Sequence, residues 1–347
     1  MVGSTAAKFT SRPMMADVAR AAGVSVATVS YVLGGRRGDL EASRISDETR
    51  ARVMQAVAAS GYRINEHART LRRNRTDRVL LLIDRMSSPY DQHLATSLEA
   101  ILGAHGRSLS IMICPTLERL DNALGMVRRG LADGAIVQPW DITGQQELFE
   151  TYAREQIPMV VMGQGMTPNG FDLVTNDEAP AIADAVDHLI DRGHRRIGFL
   201  AHVVNQDRPE WRMVHVVDRL GFHGLALAPE DIRDGARHRP SAYESVRLLL
   251  ARDQPPSAIF SVSDTGGIAA IWAALSMDLR VPDDVAIVGC GNIDECRITA
   301  PQLSSVGPAT PDFFPVAKLL LDRLEQPSTP EYRHLLMPWG FFPRAST

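Results

Sequence analysis

The chain has few of the residues that staple a fold together or bind metal. Its three cysteines, Cys114, Cys290 and Cys296, are odd in number and show no C-x-x-C spacing. This argues against a disulfide framework or a cysteine zinc site, and a reducing compartment is the default. Long apolar runs are also missing. The longest aliphatic run, Val79-Leu80-Leu81-Leu82-Ile83, is far short of the ~20 residues a membrane span needs. The opening residues, MVGSTAAKFTSRP, carry no apolar export segment, so a cytoplasmic protein without a membrane partner is expected. There is no G-x-S-x-G, P-loop or H-E-x-x-H, and no nucleophile stands beside a base, so no catalysis is expected. His202, His215, His223 and His238 gather in one region but offer no i, i+4 ligand pair. Neither a metal nor another cofactor is therefore expected. Acidic residues are scarce at one end only: residues 1–78 hold 14 basic against 7 acidic side chains, and the rest hold 23 against 34. A small basic head on a large acidic body suits a chain whose one end meets a polyanion.

What is present falls into two textures. Residues 15–61 read as helices: one over Met15 to Ala22, broken at Gly23, and a second starting after Ser25, whose hydroxyl suits an N-cap. Ser46 caps a third, with Asp47 and Glu48 in its dipole-favoured first turn, Val53 and Val57 on one face, and Gly61 at its end. The second helix carries Val26, Ala27, Thr28, Ser30 and Tyr31 with almost no charge. Two short helices joined by a Gly-containing turn make a helix-turn-helix, whose second helix lies in the major groove. Short neutral side chains let its backbone approach base edges. Thr28 and Ser30 can bond phosphates, and Val26 and Ala27 can touch thymine methyls. The same pattern fits an ordinary helical hairpin with a small-residue packing face.

From Val79, short apolar runs alternate with amphipathic helices: VLLLI, LSIMI, GAIV, PMVVM, IGFLA, SAIFS and VAIVG. Buried strands alternating with helices mean βαβ units and parallel sheets. The series divides near Ile197, which suggests two doubly wound lobes with a ligand in the crevice at their strand ends. A binding protein without a transcriptional role, or an enzyme on an α/β scaffold, would share this body. The basic helical head disfavours the first, and the missing motifs disfavour the second.

The stretch DVARAAGVSVATVSYVL resembles the N-terminal signature of the lactose-repressor (LacI/GalR) family of bacterial transcription regulators. SDETRARVMQAVAASGYRIN is similar to that family's third helix and exit, and HARTLRR to its hinge helix. HLIDRGHRRIGFLA and LRVPDDVAIVGCGN are similar to its second-lobe segments. The resemblance covers nearly the whole chain. It implies an α/β protein: an N-terminal helix-turn-helix DNA-binding domain (1–64), a hinge and linker (65–77), and a two-lobed periplasmic-binding-protein-like effector and dimerisation domain (78–347). The implied function is a sequence-specific repressor, a homodimer on double-stranded operator DNA, tuned by a small-molecule effector such as a sugar or sugar acid.

Residue by residue, the resemblance places Val26, Ala27 and Tyr31 in the major groove, with Thr28 and Ser30 toward the backbone and Ser25 among the DNA-binding residues. Leu71 takes the place of the minor-groove wedge, with Ala68 and Arg69 along the same groove. Gly34 departs from the family's usual Asn, and the loop 35–44 is longer; at least one of Arg36, Arg37 and Arg44 is expected to add a phosphate contact, the alternative being a solvated insertion. The implied effector contacts are Tyr90, Asp91, Trp140, Gln164, Asn176, Arg212 and Asp264. Gly163 and Gly291 replace common Asp anchors, and Ser263 a common Asn, with Asn292 or Asp294 as a substitute acceptor. Arg212, and Arg208 beside it, would then face little negative charge, which suggests an effector less hydroxylated or more anionic than a neutral hexose.

Overall fold

A computed structural model of the chain describes residues 13–34, 45–62, 75–138, 144–203, 210–326 and 331–347. They belong to two compact units, Met1–Arg75 and Thr76–Thr347. Among the described residues no single helix is long and apolar enough to cross a membrane.

The small unit contains α1 (Met15–Ala22), α2 (Val26–Gly34) and α3 (Asp47–Ser60). Gly23 closes α1 at φ +65°, a left-handed conformation that glycine adopts without strain. The Val24 N–H then folds back on the Ala19 carbonyl at 3.1 Å. Ser46 caps α3 by accepting the Thr49 N–H, and Gly61 ends it at φ +64°. Val18, Ala19, Ala22, Val29, Val32, Val53, Ala56 and Tyr62 form the core. These side chains are mostly small, which lets three short helices meet around a core of eight residues.

The large unit carries two six-stranded sheets. The first lobe's sheet has the order β11-β5-β4-β3-β1-β2 and the second lobe's β12-β10-β9-β8-β6-β7. In the first, β1 (Arg78–Ile83), β2 (Ser108–Ile113), β3 (Gly134–Gln138), β4 (Met159–Met162), β5 (Asp172–Asp177) and β11 (His334–Pro338) are all parallel. On β1, Leu80 and Leu82 enter one core while Val79, Leu81 and Ile83 enter the other. Burial on both faces explains why this strand reads as an unbroken apolar run. The second sheet holds β6 (Ile197–Leu200), β7 (Ile232–Arg233), β8 (Ala258–Ser261), β9 (Ala286–Cys290), β10 (Ser304–Gly307) and β12 (Gly340–Phe342). Only β12 runs antiparallel to its neighbour.

One expectation needs correction. The first lobe is not closed before Ile197: the helix Phe314–Glu325 packs its Val316, Ala317, Leu320 and Leu321 into the first lobe's core, and β11 then joins its sheet. Asp172, fully buried on β5, fastens this return. Its carboxylate accepts from Arg323 at 2.8 Å and from Arg333 at 2.9 Å. Burial alone would raise the Asp172 pKa, but the hydrogen bonds from Arg323 and Arg333 outweigh it and hold the carboxyl below its ordinary value.

Candidate DNA-reading helix and candidate effector cleft

In the small unit the chain bends by 103° between α1 and α2, within the range of a helix-turn-helix. Ser25 Oγ accepts the Thr28 N–H at 3.0 Å and pairs with the Thr28 hydroxyl at 2.9 Å. Ser25 is thus the cap that fixes where α2 begins. Val29 and Val32 point into the core, while Val26 is 47% exposed, Tyr31 38%, and Ala27 is exposed; Thr28 and Ser30 lie at the margin. Ser25, at the start of α2, and Val26, Ala27 and Tyr31 on it are thus exposed, with Thr28 and Ser30 half-buried beside them. No charged residue lies in the helix, so no charge on it would have to be desolvated against an apposed surface. Arg36, Arg37, Arg44, Ala68, Arg69 and Leu71 lie outside the described residues, as do Trp140 and Arg208.

In the large unit a cavity of about 470 Å³ opens at the carboxyl ends of both sheets, the expected ligand position for open α/β sheets. Each sheet contributes through the residues that follow its strands. Gln138 ends β3, Gln164 follows β4, Ser263 and Asp264 follow β8, and Cys290 and Gly291 end or follow β9. Of the effector contacts expected from the resemblance, Tyr90, Asp91, Gln164, Asn176, Arg212 and Asp264 line this cavity. Tyr90 stands edge-on to Phe313, ring centroids 5.5 Å apart. Burial, reinforced by Glu178, raises its phenol pKa, so the hydroxyl stays a donor. Asp91 accepts the Ser87 and Ser88 N–H groups at 3.0 and 2.9 Å, capping its own helix.

Three expectations are revised. Asn292 does not line the cavity: it is buried behind it, donating to the Pro308 carbonyl at 2.8 Å and accepting from Arg344. Asp294 is exposed and also outside the lining. Arg212 does not face a site depleted of negative charge. Its guanidinium forms a two-pronged pair with Glu178, at 2.7 and 2.9 Å, and also donates to the Val262 carbonyl at 2.8 Å. The Trp339 ring lies 5.0 Å away. Glu178 carries no local motif because it stands alone before its helix, and Trp339 none because it lies far along the chain.

The corner at Gly291 explains the missing carboxylate there. Gly291 has φ +131°, and a Cβ at this position would sit 2.9 Å from Asp264 Oδ2. An aspartate would be strained and would face a second carboxylate. Asp264 fills that corner instead, but both oxygens are occupied, Oδ1 by the Ser305 hydroxyl at 2.6 Å and Oδ2 by the Ile293 N–H at 2.9 Å. Burial raises its pKa despite these bonds. Asp264 therefore shapes the loop around Gly291 with no oxygen left unbonded.

Other polar groups of the cavity also meet carboxylates. His202 Nδ1 meets Glu210 at 2.8 Å, and the His202 N–H reaches the other oxygen at 2.9 Å. Burial would raise Glu210, but His202 holds its pKa below the ordinary value. Arg85 pairs with buried Asp84 at 2.5 Å, and Arg237 lies 4.0 Å from the same carboxylate. Burial pushes the Cys290 thiol up, so no thiolate nucleophile faces the cavity. Among the described residues no group of three or more side chains offers a metal site. Sequence reasoning also missed Gln138, Gln145, Trp211 and Arg237, all of which line the cavity without any local motif to mark them.

Comparison with known proteins gives consistent relatives. Residues 14–65 match the bacterial regulatory proteins of the lacI family, and residues 186–347 match the periplasmic binding protein-like domain. The HTH-type transcriptional repressor PurR of Histophilus somni (strain 2336) is 30% identical over 293 residues, 84% of this chain and 85% of the relative. Catabolite control protein A of Priestia megaterium is 30% identical over 335 residues, 95% of this chain and 98% of the relative. Among solved structures, a complex of the transcriptional regulator CelR with cellobiose superposes with TM-score 0.68 at 25% identity, covering 97% of this chain and all of the other. The lac repressor dimer bound to operator and an anti-inducer superposes with TM-score 0.80 at 20% identity, over 96% and 99%.

Proposed function

Because this chain belongs to the lacI family of bacterial regulatory proteins, and so is a DNA-binding transcriptional repressor modulated by a small-molecule effector, we propose how its residues divide that work. The exposed face of α2 reads operator DNA through Val26, Ala27 and Tyr31, while Ser25, Thr28 and Ser30 meet the backbone. Arg36, Arg37, Ala68, Arg69 and Leu71 add phosphate and minor-groove contacts. The protein acts as a homodimer on two half-sites, because a two-fold protein matches a pseudo-palindromic operator. The effector occupies the cleft of the large unit and belongs to the sugars or related metabolites, the chemistry named for the cellobiose complex and for a relative from Enterococcus faecium with bound ribose.

One observation carries this reading: a capped, charge-free helix turned 103° from its partner, with a neutral outer face in a chain end rich in arginine. Recovery of bound genomic fragments with the full chain tests it. A shared pseudo-palindromic site in those fragments is expected, and its absence would overturn the assignment. Deleting residues 1–75 is expected to abolish DNA binding and leave ligand binding intact.

A further inference from the structure

The cleft contains a feature that the charge pairs do not explain. Gln138, Gln145 and Gln164 all line it, and the side-chain carbonyl oxygen of each is buried without a hydrogen-bond partner in the protein. Gln138 is 5% exposed and Gln145 7%. Gln164 donates its Nε2 to the Asn176 carbonyl at 2.8 Å, which fixes the orientation of its amide. An unpartnered buried acceptor is a liability to a fold, and here three share one cavity. All three come from the first lobe: the end of β3, the start of the helix Gln145–Arg154, and the turn after β4.

Electrostatics give these oxygens their meaning. Arg212 is matched by Glu178, His202 by Glu210, and Arg85 by Asp84, with Arg237 beside that same carboxylate. An anion entering the cleft would have to compete with carboxylates already seated on Arg212 and Arg85 while meeting three lone-pair oxygens. A neutral molecule bearing O–H or N–H donors meets no such opposition. Tyr90, Trp211 and Trp339 offer flat apolar surface for a ring.

We propose that Gln138, Gln145 and Gln164 determine the specificity of the cleft as an uncharged acceptor wall, which selects a neutral, donor-rich ligand over its anionic counterparts. This rests on the cleft being the effector site. It replaces the anionic effector suggested by the loss of two aspartates.

Isothermal titration of the full chain tests it. The neutral probes are cellobiose, a methyl glucoside and adenosine; the anionic counterparts are glucuronate, glucose 6-phosphate and adenosine monophosphate. A neutral probe is expected to bind at least about tenfold more tightly than its anionic counterpart. Gln138→Leu and Gln164→Leu should each weaken that binding by about tenfold, the worth of one neutral hydrogen bond. Gln138→Leu removes a buried unpartnered oxygen, so its unliganded Tm should hold or rise, which a structural support would not allow; Gln164→Leu also gives up the bond to the Asn176 carbonyl and is read by affinity alone. The proposal is overturned if no neutral probe binds, if an anionic probe binds more tightly, if both Leu variants bind as the parent does, or if Gln138→Leu loses Tm. Trp211→Ala and Trp339→Ala separate the two levels. An anionic probe lost in these variants overturns the acceptor wall and leaves the cleft standing. A probe indifferent to them places its site elsewhere and overturns the cleft reading itself.

Discussion

The two units present their candidate sites in opposite ways. The head displays six residues within one seven-residue stretch, Ser25 to Tyr31, on a helix without charge. The cleft assembles Tyr90, Gln138, Gln164, Glu178, Arg212, Asp264 and Trp339 from strand ends spread over some 250 residues, and seats its charges in pairs. The difference follows from the partners. A duplex is a long polyanion that arginines elsewhere in the chain can hold, so the helix proposed to read it is free to be neutral and close-fitting. A small molecule must be enclosed, so its site needs many elements and cannot leave charges unmatched in a low-dielectric space.

The largest expected effect breaks the comparison at the head. Ala27→Asp places a carboxylate on the face proposed to meet base edges. Operator affinity should fall to the non-specific level, a loss of about 10³-fold or more, while effector binding measured by titration stays unchanged. Next is the cleft. Glu178→Ala leaves the Arg212 guanidinium buried without its carboxylate, which should cost about 3–5 kcal/mol in the large unit's unfolding free energy. The double substitution Glu178→Leu with Arg212→Leu should recover most of that loss in the same denaturant titration. Asp172→Asn should cost about 3 kcal/mol by the same mechanism. Its pH dependence has a definite sign: because the folded pKa of Asp172 is depressed, its contribution is present above the unfolded carboxylate value and lost as pH falls through the folded one. Tm profiles of parent and variant should therefore converge in strong acid, below about pH 4. The smallest effect returns to the head. Ser25→Ala removes the α2 cap and should cost about 1 kcal/mol, read as earlier melting of the small unit alone.

This ordering also separates what was legible from what was not. Local rules place α1 at Met15–Ala22, the caps at Ser25 and Ser46 and the stops at Gly23 and Gly61, and the structure has each there. Seven strands announce themselves as apolar runs: six are buried on both faces or nearly so, while β2, at the sheet edge, is apolar although Ile111 and Ile113 stay exposed. β10 hides because Ser304 and Ser305 are buried polar residues, and β11 because alternate residues at the sheet edge stay exposed. The return of Phe314–Glu325 and β11 to the first lobe is set by Asp172 and two arginines more than 150 residues away, a pairing no local pattern can signal. In the cleft, individual residues were legible but their engagements were not. Arg212 is identifiable from the sequence, whereas its neutralisation by Glu178 exists only once the lobe folds. Asn292 stands one residue from the lining and points behind it.

The central claim is that α2 discriminates among DNA sequences through its neutral outer face. The direct measurement is a fluorescence-anisotropy titration of the full chain against a duplex recovered from genomic binding and a scrambled duplex of equal length. It should be run at several salt concentrations, with the parent chain and with a Val26→Ala, Ala27→Gly, Tyr31→Ala variant. The account predicts at least about 10³-fold discrimination by the parent. In the variant that discrimination should collapse while the salt slope, set by phosphate contacts, is kept. Equal affinity of the parent for both duplexes, or undiminished discrimination by the variant, would contradict it.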